Sequence, residues 1–250
     1  MSLSRQYLDK ITSHLEAIHD DVNENILKAA NLLADQIAED KLIHVAASGG
    51  HSNLATQEIF FRAGGLMHIN PIMDEGTLLT NGALRSMAIE RLPDYGKIVS
   101  ANNPMNAGDV MVLINAYGIN AAVLDLAIEA KKKGVTVIAV TSIQHAEETP
   151  KDHPARHPTK QNLADVADIT LDCKVQVGDA VMEVEGITQK VAAMSTFANS
   201  FILNCLVMET VNILGTRGIE PPIWKSGNAT GGDAWNNQFI DRFRGRIRLL

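Results

Sequence analysis

The stretch Leu42-Ile43-His44-Val45-Ala46-Ala47-Ser48-Gly49-Gly50-His51-Ser52-Asn53 decides the fold. Its first half is a short apolar run, which predicts a buried strand, and its second half is small, polar and glycine-bearing, which predicts a tight turn. Helical spacing then resumes through Leu54, Ile59 and Phe60 over residues 53–63. Gly64-Gly65 stands where a C-terminal glycine stops a helix. The unit is strand, glycine loop, helix.

The same unit recurs downstream. Val110-Met111-Val112-Leu113-Ile114 leads into Asn115-Ala116-Tyr117-Gly118-Ile119-Asn120, then into a helix over 121–133 closed by Gly134, and Val135-Thr136-Val137-Ile138-Ala139-Val140 follows as another β-branched strand. Strands that are continuously apolar rather than alternating, each followed by a helix, indicate a parallel sheet covered on both faces. The fold class is therefore α/β, a three-layer α/β/α sandwich. Met67–Met73, Lys97–Ala101 and Asp168–Cys173 are further strand candidates that would complete the sheet.

Upstream, Leu8, Ile11, Leu15, Ile18, Val22, Ala29 and Leu32 recur at three- and four-residue steps, which predicts one long amphipathic helix over 5–39. Its length, unbroken by Pro or Gly, suggests that part of it packs on another subunit. Downstream, the polar stretch between Ser142 and Leu163, with three Pro and three His, is too long for an ordinary connection and reads as either functional or mobile. An apolar helix is expected over 189–214, and Trp235 to Phe243 reads as a short docking helix. No linker divides the chain, so residues 1–250 form one domain: a helical arm (1–40), an α/β core (41–215) and a tail with a short helix (216–250).

The composition narrows the function. Lys plus Arg number 22 against 29 Asp plus Glu, a net charge of −7, which argues against a nucleic-acid partner because phosphate backbones call for a basic footprint. Apolar residues make up 46%, enough for a sizeable core. The two cysteines, Cys173 and Cys205, form no disulfide framework and fit buried thiols in a reducing compartment, hence the cytosol. No signal-type leader and no apolar run of membrane-spanning length is apparent, so no membrane partner is expected.

In parallel α/β sheets, ligands collect where the strands end, beside backbone N–H groups and helix N-termini. Ser48-Gly49-Gly50-His51-Ser52 offers flexible glycines, two hydroxyls and the positive end of a helix, a fit for a phosphate or a sugar hydroxyl. The alternative is an ordinary strand–helix turn. It is neither Gly-x-Gly-x-x-Gly nor a P-loop, so neither a dinucleotide nor any other cofactor is implied. His51 can donate to a phosphate or move protons during ring opening, or else cap locally. Six residues beyond Ser52, about nine ångströms along the helix, Glu58 is positioned to act as a general base, or else simply pairs with Arg62. His145, His153 and His157 match no zinc spacing, and no metal is expected.

Together the two loops resemble the SIS (sugar isomerase) domain family, whose pattern pairs an early Gly-x-Gly-x-Ser loop with a later Ser-x-Ser-Gly loop behind Gly-Asp and an apolar strand. Here these look like Ser48–Ser52 and Asn115–Gly118 behind Gly108-Asp109. The subgroup most similar is UPF0309, through Gly50-His51-Ser52, Phe60-x-Arg62-Ala63-Gly64-Gly65, Asn70-Pro71-Ile72, Gly82-Ala83-Leu84-Arg85-Ser86, Glu90-Arg91-Leu92, His157-Pro158, Gly178-Asp179-Ala180, Ser195-Thr196, Gly218-Ile219-Glu220-Pro221-Pro222 and Gly231-Gly232-Asp233. Asn115 and Tyr117 depart from the pattern, standing where two phosphate-gripping serines are usual, and Tyr117 would reshape the anion site.

The resemblance implies a SIS-type, Rossmann-like fold that binds a sugar phosphate and isomerises it through an enediol. Glu58 is the expected base, with His51 or His157 assisting and His157 reaching over the site from the polar stretch. Ser48, Gly50, Ser52, Asn115, Tyr117, Gly118 and Asn120 are expected to hold the phosphate or its substitute. Ser195 and Thr196 either add hydroxyls to the pocket or cap a helix. A homodimer or higher homo-oligomer is expected. The alternatives are a non-catalytic sugar-phosphate sensor or regulatory partner, and an amino-sugar phosphate deaminase.

Overall fold

The computed structural model describes residues 1–250. Five parallel strands, β1 (Ile43–Ala47), β2 (Ile69–Ile72), β3 (Val110–Ile114), β4 (Thr136–Thr141) and β5 (Ile169–Asp172), form one sheet in the order β2-β1-β3-β4-β5. Around it lie helices α1 (Leu3–Ala38), α2 (Ser52–Ile59), α3 (Ala83–Glu90), α4 (Tyr95–Asn102), α5 (Ala121–Lys132), α6 (Ile143–Glu148), α7 (Leu163–Val166), α8 (Ser195–Thr216) and α9 (Gly232–Phe243). A small antiparallel hairpin, β6 (Ala180–Met182) with β7 (Val191–Ala193), precedes α8.

Continuous apolar strands are required because both faces are buried, and alternate residues sort to opposite sides. Ile43, Val45, Val110, Val112, Ile138, Val140 and Leu171 pack with α1, α2 and α8, whereas Ala46, Met111, Leu113, Val137 and Ala139 pack with α4, α5 and α7. This is the three-layer sandwich. On its first face, Ile26, Leu33 and Ile37 of α1 meet Ile202, Leu206 and Leu214 of α8, each such burial contributing about 2 kcal/mol relative to exposure. α8 is long and apolar enough to cross a bilayer by length and composition, and here it lies in this core. The first buried residue of α1 is Ile18; Leu3 and Leu8 stay exposed.

Local structure differs from the sequence reading at three places. α2 ends at Ile59, before Gly64-Gly65, because Phe60 turns extended and Phe61 adopts a left-handed φ of 51° that lays its ring on Trp224. Gly64 and Gly65 instead exchange backbone hydrogen bonds with Trp224. Lys97–Ala101 is not a strand but part of α4. The spacing of buried Gly96, Val99 and Ser100 is helical, and a Cβ at Gly96 would overlap the Ala122 carbonyl of α5. The helix expected from residue 189 begins at Ser195, since Val191–Ala193 is drawn into the hairpin.

The polar stretch is built around Arg156. Its buried guanidinium donates to the carbonyls of Ala146, Pro150 and Thr149 and to Asn162 Oδ1, so the backbone groups of a long connection are satisfied internally.

Candidate active site

β1 and β3 are hydrogen-bonded neighbours with Ala47 opposite Ile114, so the loops 48–52 and 115–120 leave the sheet side by side. α2 then turns to one face and α5 to the other. The crevice between them is the switch point where open parallel sheets take ligands. Asn115 ties the two loops together: its Nδ2 donates to Ser48 O at 2.8 Å, and its Oδ1 accepts from the N–H groups of Tyr117 (3.1 Å) and Gly118 (2.8 Å).

The crevice is a hollow of about 230 Å³. Of the residues expected there, Gly50, His51, Ser52, Asn115, Tyr117, Asn120 and Ser195 line it. The backbone N–H groups of Gly50, His51 and Ser52, at the start of α2, have no acceptor within the chain, and neither has the exposed His51 ring. Three unpaired N–H groups on a helix N-terminus make a nest for an anion. Tyr117 does not close the hollow. Its ring stacks on His145 with centroids 4.2 Å apart, and burial pushes its hydroxyl up to about 12, with the Asp179 and Glu90 carboxylates adding to the shift.

Five expected site residues are placed elsewhere. Glu58 points along α2 away from the hollow and pairs with exposed Arg62 at 3.4 Å. His157 does not reach over the site, because the buried ring is held by Asp125 Oδ1 of α5 at 3.1 Å and by Thr159 at 2.8 Å. Ser48 turns its hydroxyl inward, without a partner, beside Asp74 and Tyr95 beneath the loop. Gly118, at φ 63°, packs on Thr141, where a Cβ would collide with Oγ1. Thr196 is half-buried outside the lining. Asn115 lines the hollow, but its amide is committed to the two loops, so its place is structural.

The SIS domain family model matches residues 6–142 of the chain. The chain belongs to the SIS domain family. Within it the relatives are UPF0309 proteins. That of Geobacillus kaustophilus is 34% identical over 245 residues, 98% of this chain and 96% of its own length, and that of Halalkalibacterium halodurans is 36% identical over the same shares. Among solved structures, phosphoheptose isomerase from Neisseria gonorrhoeae aligns with a TM-score of 0.54 at 16% identity, over 85% of this chain and 97% of that one. The sugar isomerase domain of an RpiR transcription factor from Sphaerobacter thermophilus aligns at 0.51 and 15%, over 97% and 99%. These likenesses show that the SIS fold is shared.

Two carboxylates in the hollow of this SIS domain were not singled out as site residues from sequence. Glu90, the last residue of α3, brings Oε2 so close to Gly49 that a Cβ there would overlap it, and Gly50 is likewise covered by Leu79. The glycines therefore admit neighbouring side chains rather than only a ligand. Burial raises the Glu90 carboxyl to about 7, against a smaller opposing pull from Arg91. Asp179 accepts from Met194 N (3.0 Å), Ser195 N (2.8 Å) and Ser195 Oγ (2.7 Å), capping α8 from the far side of the hairpin. One signal for it was available. Met194 precedes α8 and has no side-chain acceptor, so the first N–H groups of an apolar helix had to find one elsewhere.

Proposed function

We propose that the chain binds a sugar phosphate in this hollow and interconverts its aldose and ketose forms, with Glu90 in the role first assigned to Glu58. The phosphate sits on the free N–H groups of Gly50, His51 and Ser52, helped by the Ser52 hydroxyl and the α2 dipole. Glu90 takes the proton from the carbon beside the carbonyl, an enediol forms, and the same carboxyl returns the proton to the neighbouring carbon. Tyr117, protonated throughout the physiological range, donates to the developing oxyanion, and Asn120 lies beside it. The exposed His51 assists ring opening.

The observation that carries this reading is the Glu90 carboxyl, held inside the hollow with an affinity for protons near neutrality. A base poised there can both take and return a proton at physiological pH. The fold likeness to phosphoheptose isomerases from Neisseria gonorrhoeae and Francisella tularensis agrees with it. A sensor role is the competing reading, and turnover separates the two. Incubating the protein in deuterated water with hexose, heptose and amino-sugar phosphates should give deuterium at C2 of at least one of them, and Glu90→Gln should abolish it. Binding without exchange on every compound would leave a sensor.

The reading includes a cytosolic protein that acts as a homo-oligomer. Leu79, Leu84, Met87, Leu92 and Ile98 lie exposed on and around α3 and α4, Leu79 and Met87 of them at the hollow, and a subunit contact would cover such apolar side chains. Analytical ultracentrifugation giving only a 27.1 kDa species would remove this part.

A further inference from the structure

The opposite end of the sheet, where the strands begin, carries a second hollow. Along the face covered by α4 and α5 the strands are apolar, through Ala46, Ile72, Met111 and Leu113. One step earlier on that face, β1 and β2 instead set His44 opposite Asn70. No helix covers this pair: α4 ends at Asn102, the chain turns extended at Asn103, and the two side chains face a gap of about 370 Å³. Burying an imidazole in a sheet is costly unless its nitrogens are paired. His44 is only 7% exposed, and its pairing is incomplete. Asn70 Nδ2 donates to Nδ1 at 3.1 Å, which puts the ring proton on Nε2, where Asp109 Oδ2 stands at 3.5 Å, too far for a well-formed hydrogen bond.

Most charges around this gap are neutralised within the fold. Asp40 is held by Arg242 and Arg246, Lys41 pairs with Glu39 at 2.6 Å, and Asp109 accepts from Asn106 N at 2.7 Å. Arg248 is the exception, lining the gap with no ion pair or hydrogen bond to the chain. The side-chain amides of Asn102 and Asn106 and the Oδ1 of Asn70 are likewise unpartnered. One free guanidinium calls for one anionic group, and amides that both donate and accept match hydroxyls. The lining has no Phe, Tyr or Trp on which a nucleobase could stack, and Leu42 and Pro104 are its only apolar members.

We propose that this hollow is a second ligand site, separate from the one that holds Glu90, and that it takes a polyhydroxylated compound with a single anionic group. The carboxylate or phosphate lies on Arg248, and the hydroxyls meet Asn70, Asn102 and the Nε2–H of His44. The two hollows stand at opposite ends of the strands and share no lining residue, so this site does not depend on the function proposed for the other.

The test is a titration at pH 7 followed at the His44 ring by proton–nitrogen correlation spectra, assigned with His44→Gln, so that only this hollow is read. Gluconate supplies the carboxylate and glucose 6-phosphate the phosphate; sorbitol is the uncharged control, and acetate and inorganic phosphate are the anions without hydroxyls. At least one of the two sugar anions should shift the His44 resonances and bind at least about tenfold tighter than sorbitol and than its own simple anion. Whichever binds names the anionic group. Arg248→Ala, whose guanidinium holds nothing in the fold, should weaken that binding at least about tenfold, and Asn70→Asp, which sets a carboxylate against the anion, should do the same. If neither sugar anion moves the His44 resonances, the inference falls. It also falls if a simple anion binds as tightly as the sugar, or if binding is indifferent to Arg248→Ala. Glucose 6-phosphate that binds by calorimetry but leaves His44 unmoved would lie in the Glu90 hollow, supporting the proposed function while removing this second site.

Discussion

Asn115 and Ser48 lie 67 residues apart in the chain, yet the Asn115 amide donates to the Ser48 carbonyl at 2.8 Å, and this bond closes the floor of the hollow. The same side chain arrests its own loop by accepting from Tyr117 and Gly118. Asn115→Ala should therefore release two loops at once. With a buried carbonyl and two N–H groups left unpaired, a loss of about 2–3 kcal/mol is expected in urea denaturation, together with weakened sugar-phosphate binding. An unchanged midpoint and unchanged binding would show that the loops hold their places without it.

Glu90→Gln should reduce proton exchange by at least about 100-fold, the usual weight of a general base, while sugar-phosphate binding persists. In the wild type, kcat/KM should rise with pH through a midpoint near the Glu90 value of about 7, and a flat profile between pH 5 and 8 would remove Glu90 from the chemistry.

The same carboxyl leaves a mark on stability. Its folded value, about 7, lies above the ordinary 4.5, so its contribution is fully present below pH 4.5 and is lost as pH rises through 7. The Tm of the wild type should fall relative to Glu90→Gln across that interval, with the variant the more stable at pH 8. Parallel Tm curves for the two proteins would contradict the buried carboxyl.

Glu58→Gln tests the base that the spacing suggested. Its carboxylate meets only Arg62, on an exposed helical face, a pair that contributes a few tenths of a kcal/mol. Activity within about twofold of wild type is expected; a loss comparable to that of Glu90→Gln would restore Glu58 to the reaction.

His157→Ala removes the hydrogen bond to Asp125, whose Oδ2 already lacks a partner. The buried carboxylate left behind should cost about 1–3 kcal/mol of stability, while KM for the substrate stays near wild type in the folded fraction. A selective rise in KM would place His157 over the ligand after all.

Much of this was legible in the residues. Val110–Ile114 and Thr136–Thr141 could be read as buried parallel strands because two covered faces demand unbroken apolar runs, and Ala47 and Ile114 deliver the two turns that sequence paired. The stretch around Ile98-Val99 misled because a short apolar run looks alike as a strand or a packed helix. The side chains that fill the hollow were harder to see. Glu90 arrives there because Asn53 and Ser86 both bind Thr77 and fasten the 74–90 segment above Gly50, and Asp179 because the hairpin of β6 and β7 folds it back on the start of α8. Neither contact has a periodicity. Glu58 stood at a reachable distance, but helix rotation turned it outward.

Asp179 serves both as the latch of α8 and as a wall of the hollow. A lineage that altered it to change its diet would at the same time unfasten the helix on which α1 rests. Drift in substrate preference is thus channelled toward Met87 and Leu79, whose exposed side chains line the hollow and belong to neither face of the packed core, and family members that eat different sugars should differ there first.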